Sequence, residues 1–347
     1  MSKPARNDGA MEITFADLTT MRVGGPLDQL LMPASTPEAV EMLRATDGAG
    51  VPLLVMGGGS NLVVGDIGWD GTVIKMASTE LAIEGEQVTV AAGVEWDQVV
   101  AATVAEGLAG LEPLSGIPGS VGGAPVQNVG AYGTLLSDVL ESLTVYDRHT
   151  GLIERWPTER CGFGSHRQSV FKHSDQWVVL DLTLCLRRSG QSGPVTFPDV
   201  AKRLDIEVGG TASPADVREA VIAQRRSRKM ILDPDDHDTW SVGSFFINPV
   251  LAEVPARARA CPSLPDIKGT KLQCAWMIHQ AGFEPGYGAD WGNGTVALSS
   301  RHALAVTNRG GATTGDVMKF AAHIRDGVAA LFDVRLNPEC DLINCSY

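Results

Sequence analysis

Glycine placement constrains this chain more than any other feature. Six glycines fall at Gly57, Gly58, Gly59, Gly65, Gly68 and Gly71, and eight more lie between Gly107 and Gly133. Glycine tolerates positive φ and lets backbone approach backbone or ligand without a Cβ, so two such clusters predict two loops in tight contact with something. The total of 39 in 347 residues is about 11%, against a usual share of roughly 7%. No Gly-X-Y period runs through them, which excludes a collagen-like helix.

A charged fraction of 20% beside 44% apolar residues argues for a folded chain with a sizeable core, divided into two or three units at this length. The 28 basic residues against 41 acidic ones give a net charge of −13, which argues against an extended nucleic-acid or anionic-membrane surface. No apolar run approaches the roughly 18–20 residues of a membrane span, and residues 1–10 lack the apolar stretch of a signal peptide. A cytoplasmic location is the expectation. The six cysteines contain no C-x-x-C pair and no histidines at zinc spacing, so they read as reduced thiols, and no metal site is expected.

Along the chain, Thr36-Pro37 opens a helix, and 51–56 and 72–76 read as strands. A hairpin is expected over 81–92, then an amphipathic helix over 96–105. Residues 111–133 have turn chemistry without helical or strand period, and so long a stretch inside a compact domain is usually functional. Further strands are predicted at 143–146, 151–156 and 178–186, and Ser213-Pro214 caps a helix running to about Arg228. The last unit predicts a helix near 272–280, strands at 296–298 and 303–307, a helix over 314–332 and a final strand at 334–336.

Motif by motif the signals are weak. No G-x-x-x-x-G-K-[ST], G-x-S-x-G or H-E-x-x-H occurs. Gly292-Asn-Gly294-Thr-Val-Ala297 fits G-x-G-x-x-A but precedes strand-like sequence instead of opening a helix. By contrast, Gly57-Gly58-Gly59-Ser60-Asn61 directly follows a strand and can aim backbone N–H groups and a hydroxyl at a pyrophosphate; a plain flexible connection is the other reading. Ser115 to Ala124 and Asn128 to Gly133 can likewise line a flat cofactor. The basic loop holding His166, Arg167, Ser169 and Lys172 reads either as solvated surface or as an anion site. Arg225, Arg226, Arg228 and Lys229 either complement a helix C-terminus or attract phosphates. Residue by residue, this reaches a phosphate-bearing cofactor enzyme and no further.

Taken together, Thr20-Met-Arg-Val-Gly-Gly25, 57–61, 115–133, His-Arg167-Gln-Ser-Val-Phe-Lys172, Gly243-Ser-Phe-Phe-Ile-Asn-Pro249, 271–280 and Pro338-Glu339 resemble, in order and approximate spacing, the MurB family of UDP-N-acetylenolpyruvoylglucosamine reductases. The set covers most of residues 15–343, and its colinearity is specific where each motif is not. The resemblance implies an α+β protein: the FAD-binding fold of the vanillyl-alcohol-oxidase/PCMH type, with two flavin-binding subdomains (1–80, joined by 338–347, and 81–231), plus a C-terminal α+β substrate-binding domain (240–337). It implies that Gly57, Gly58, Gly59, Ser60 and Asn61, with Ile117, Pro118, Gly119, Ser120, Gly122 and Gly123, hold the FAD pyrophosphate by backbone amides. Asn128, Gly130 and Ala131 would lie near the flavin.

The implied reaction is ping-pong: NADPH reduces FAD, and the enolpyruvyl UDP-sugar then accepts hydride at C3 and a proton at C2. Negative charge developing at C2 and its carboxylate calls for cationic or proton-donating groups. Arg167, Ser244 and Glu339 match the family's catalytic arginine, serine and glutamate, with Ser244 as the proton donor. His166, Arg225, Arg228, Asn248 and Lys271 are the implied substrate-binding residues, with the contact register among residues 225–229 open to one position. Three positions depart from the family pattern: His166 replaces a tyrosine, Ile247 a lysine or threonine, and Phe197 lies near an expected phosphate-binding tyrosine. A monomer is expected. Two further readings stand beside this one: a paralogue reducing another enolpyruvyl nucleotide, and a flavin-binding protein without catalysis.

Overall fold

The computed structural model describes residues 13–164, 168–172 and 174–347. Its first unit is a three-stranded parallel sheet in the order Leu27–Leu31, Trp69–Lys75, Leu53–Met56. Helix Thr36–Ala49 begins where the Ser35 hydroxyl accepts the Glu38 N–H and ends at Gly50 in the left-handed region (φ 66°). Its Ala39, Val40 and Leu43 are buried with Ile74 of the sheet and with Tyr146, Val178 and Leu180 of the next unit. That shared cluster packs the two units directly against each other there.

A five-stranded antiparallel sheet forms the second unit, in the order Ile153–Pro157, Leu140–Asp147, Trp177–Cys185, Gln87–Ala91, Leu81–Glu84. Helix Trp96–Ala105 buries Trp96, Val99 and Val100 against Leu143, Val145 and Leu182 of this sheet. Trp96 also donates its indole N–H to the Leu114 carbonyl at 3.1 Å, so this helix anchors the aperiodic stretch after it. That stretch contains two 3₁₀ segments, Glu112–Leu114 and Val121–Gln127. Helices Pro198–Leu204 and Pro214–Ser227 have a small core of their own, with Val200, Val217 and Val221 buried and Tyr132 packed against them.

In the C-terminal unit, helices Cys274–Gln280 and Thr314–Phe332 enclose Phe245 and Phe246. Met21, Val23 and Val63 from the beginning of the chain join the same core. One expectation fails here: residues 334–336 are not a strand, and the last strand is Asp341–Ile343, parallel to Leu62–Val64. Val334 and Leu336 are buried, at 2% and 0% exposure, in irregular chain with no ladder partner among the described residues. Burial without pairing gives the same local sequence signal as a strand. Among the described residues, no helix is long and apolar enough to cross a membrane, and all six cysteines are free thiols.

Candidate active site

The two glycine clusters first meet each other. A Cβ on Gly58 would stand 2.8 Å from the Gly119 Cα, and one on Gly57 would stand 2.0 Å from the Ser120 hydroxyl. Gly59 (φ 63°) has Leu18 carbonyl oxygen 2.3 Å from its missing Cβ, and Gly119 (φ 117°) has Ser60 Oγ at 2.7 Å. The loops are therefore glycine-rich because backbone lies against backbone, locked by a 3.1 Å bond from Ser60 Oγ to the Pro118 carbonyl. Their shared edge lines a cleft of about 1060 Å³, just above the roughly 300–1,000 Å³ range of small-molecule sites.

Donors for an anion are present on that wall. Among the described residues, the N–H groups of Gly58, Gly59, Ser60 and Asn61 have no acceptor. The Ser120 hydroxyl is buried with no hydrogen-bond partner. A Cβ on Gly123 would meet nothing within 4 Å. A run of unsatisfied amides beside an orphaned hydroxyl is a poor arrangement for an empty protein interior and a good one for a pyrophosphate. The residues present thus fit an FAD. One part of the expectation needs correcting: the N–H groups of Gly122 and Gly123 are engaged with the carbonyls of Ala92 (2.8 Å) and Ser120 (3.0 Å). Both glycines line the cleft, but their N–H groups are already engaged within the chain.

Another part of the cleft lining consists of side chains from distant segments. Ser244 follows Gly243 (φ 74°) and stands beside two fully buried phenylalanines. Its segment runs antiparallel to 337–339, with Glu339 N–H donating to the Phe245 carbonyl (2.8 Å) and Ile247 N–H to that of Asn337 (3.0 Å). That pairing brings Ser244 and the buried Glu339 into one cleft. His302 completes this part of the lining, with Nε2 3.5 Å from Ser244 Oγ. Burial, reinforced by the positive charges of Arg225 and Arg228, pushes the His302 pKa down to about 4, so its imidazole is neutral near pH 7. Nothing in the sequence singled out His302, because it sits in the turn between two short strands and only tertiary contact places it against the serine.

Of the four cationic residues near the end of helix Pro214–Ser227, Arg225 and Lys229 line the cleft, whereas Arg226 and Arg228 do not. Arg225 donates to the carbonyls of Gly116 (3.1 Å) and Met230 (3.2 Å) and bonds the Tyr132 hydroxyl. Lys229 pairs with Asp236. Arg228 instead reaches Asp199 at 3.2 Å in an exposed pair.

Four more expected site residues lie off the cleft. Asn128, at φ 42°, exchanges hydrogen bonds with Ser137. Asn248 accepts the Cys274 N–H at 2.9 Å, serving the start of a helix. Lys271 is a mid-strand residue opposite Val250 and Leu264. Ala131 belongs to a two-residue hairpin strand. These residues satisfy backbone groups or strand register, which is why their positions are specified so closely by the fold. His166 and Arg167 lie outside the described residues, and the remaining expected flavin-loop positions, with Gly130, line the cleft.

Two family models match the chain: an FAD binding domain over residues 27–156 and the C-terminal domain of UDP-N-acetylenolpyruvoylglucosamine reductase over residues 233–343. The chain is 46% identical to UDP-N-acetylenolpyruvoylglucosamine reductase of Saccharopolyspora erythraea, across 96% of this chain and 95% of that protein. To the enzyme of the same name from Nocardia farcinica it is 48% identical, across 94% and 87%. The crystal structure of the Thermus caldophilus reductase superposes with a TM-score of 0.67 over 96% of this chain and 98% of its own, at 24% identity, and so shares the fold. Matches of this extent, on a chain whose loops form a dinucleotide-sized cleft, make it a member of the UDP-N-acetylenolpyruvoylglucosamine reductase (MurB) family of FAD-containing oxidoreductases.

Proposed function

We propose that this chain reduces the enolpyruvyl group of UDP-N-acetylglucosamine enolpyruvate to give UDP-N-acetylmuramate, with NADPH as reductant, in peptidoglycan synthesis. The observation that carries this reading is the convergence of Ser244 and Glu339 on the cleft that the amide-rich glycine pair also lines. FAD, when bound, supplies the ring that takes hydride from NADPH and delivers it to C3 of the enol ether.

The protein's own contribution is then positioning and proton management. Unengaged amides at residues 58–61 and the Ser120 hydroxyl hold the pyrophosphate without a lysine. Ser244 delivers a proton to C2 as C3 is reduced. A serine hydroxyl is a weak acid, so it needs a partner that can resupply its proton. Neutral His302, 3.5 Å away, can donate a hydrogen bond from Nε2 in one tautomer and accept one in the other, and it can pass a proton to Ser244 only as its Nδ1 takes one up from solvent. A protonated imidazole there would stand close to two arginines, and its lowered pKa avoids that charge. Glu339 faces the same space; in the family's role it would have to donate a held or shared proton toward the charge developing at C2, because an ionised carboxylate would repel it. Arg225 lends positive potential to the phosphate end while bracing the Gly116 turn.

The simplest test is colour and turnover. Purified protein is expected to carry a flavin absorption band and to consume NADPH steadily only when the enolpyruvyl UDP-sugar is present. A colourless protein, or one indifferent to that substrate, overturns the reading. One observation favours a second reading, reduction of a different enolpyruvyl nucleotide: Ile247 lines a smaller cleft of about 390 Å³ with Gln168, Lys172 and Pro338. Its apolar side chain offers a phosphate or carboxylate nothing, and comparing turnover among enolpyruvyl nucleotides separates the two.

A further inference from the structure

Lys172 follows the segment that carries the family arginine, in a basic stretch whose sequence taken alone reads more readily as solvated surface. Its ammonium is not given over to solvent. Half-buried, it donates to the Glu339 backbone carbonyl at 2.9 Å. Gln127 Nε2 approaches the same oxygen at 3.4 Å. Residues 169–172 are held in the pose that makes this possible: Ser169 Oγ donates to the Val126 carbonyl (2.7 Å) and accepts the N–H groups of Phe171 (3.1 Å) and Lys172 (3.2 Å). Phe171, buried and stacked on Trp156, anchors its other side.

Glu339 is therefore gripped from two directions. Its N–H is bound by the Phe245 carbonyl, one residue from Ser244, and its C=O by a charged donor from the flavin-binding part of the chain. A charge-assisted bond is about twice as strong as a neutral one, and this one crosses the seam between two units that each contribute a wall of the cleft. We propose that Lys172 is a positioning residue for Glu339, fixing its main chain, and through it the carboxyl, relative to Ser244. The proposal rests on the reading of Glu339 as a group that acts on the substrate. Displacements of about 1 Å from a reactive geometry can cost on the order of 100-fold in rate, so loss of the grip should be visible in the substrate-reducing half-reaction alone.

The test uses holoenzyme variants Lys172→Met, Lys172→Arg, Glu339→Gln and the double variant Lys172→Met/Glu339→Gln, with the two half-reactions followed separately by flavin absorbance. Lys172→Met is expected to keep its flavin content and melting temperature, to be reduced by NADPH at the parent rate, and to slow reoxidation by the enolpyruvyl nucleotide about 10- to 100-fold. Lys172→Arg, which keeps a cationic donor, should recover most of that loss. The double variant should be no slower than Glu339→Gln, since Lys172 acts through Glu339. A Lys172→Met protein with unchanged reoxidation, one that loses flavin or slows both halves equally, or an additive double variant overturns the proposal. The failures are distinguishable: if Glu339→Gln itself leaves reoxidation intact, the reading of Glu339 falls and the proposal with it; if Glu339→Gln is slow and Lys172→Met is not, only the proposal falls.

Discussion

The two walls of the cleft are built on opposite principles. The glycine wall, from residues 57–61 and 117–123, uses almost no side-chain chemistry; its donors are main-chain amides and one serine hydroxyl. The side-chain part of the lining joins Ser244, His302 and Glu339, which are separated by up to 95 residues in sequence. A backbone-built wall demands steric permission at every position, and a side-chain wall demands only that a few segments meet at the right place. Damage to the first should therefore appear as loss of cofactor, and damage to the second as loss of one chemical step.

The largest effect expected from this contrast is at Gly59. Gly59→Ala places a Cβ 2.3 Å from the Leu18 carbonyl oxygen at a φ of 63°, and neither backbone can yield cheaply. The variant should purify without flavin, with a lower melting temperature, measured by absorbance and calorimetry; a yellow, stable Gly59→Ala protein would break the comparison. Next comes Ser244→Ala. Loss of a general acid typically costs about 10²–10⁴-fold, so reoxidation by substrate should slow by that order in stopped flow while NADPH-dependent reduction is unaffected. Equal loss in both half-reactions would remove Ser244 from its assigned step.

A smaller effect is expected at Ser120, where alanine removes one donor from the glycine wall. One hydrogen bond to a charged group contributes about 1.5–3 kcal/mol, so flavin affinity should fall roughly 10- to 100-fold, read by titration of apoprotein, with the half-reaction rates of the loaded protein preserved. The smallest is a pH effect at His302. Its folded pKa lies near 4, below the ordinary 6.5, so between those values the unfolded chain binds a proton that the folded chain does not. The stability due to His302 is thus fully present above about pH 6.5 and is lost as pH falls toward 4. His302→Gln should flatten the melting-temperature decline in that window, and a decline that is the same in both proteins would show that the imidazole titrates normally.

Legibility in the sequence followed the same division. Helices Trp96–Ala105 and Thr314–Phe332 coincide with their predicted bounds because apolar period, and for the second a Thr313–Asp316 capping box, are local signals. The glycine loops were legible as sites of close approach, though what they approach first is each other. Asn248 and Asn128, expected as ligand contacts, also accept the backbone N–H groups of Cys274 and Ser137 through their side-chain oxygens. An asparagine that serves a fold and one that serves a ligand have the same letter and the same neighbours. His302 and Lys172 are the converse, ordinary in sequence and consequential in place.

By itself, then, the sequence determined where the chain must bend tightly, which stretches are helix, and, through colinear motifs, the family to which they belong. Those properties depend on φ/ψ tolerance and on periodicity over a few residues, and each residue carries them locally. Only the tertiary structure decided that Arg225 and Lys229 rather than Arg228 reach the cleft, that a neutral histidine stands beside Ser244, and that Lys172 grips Glu339. Those outcomes depend on desolvation and on distances between segments more than 50 residues apart, quantities that exist only once the walls have closed on each other.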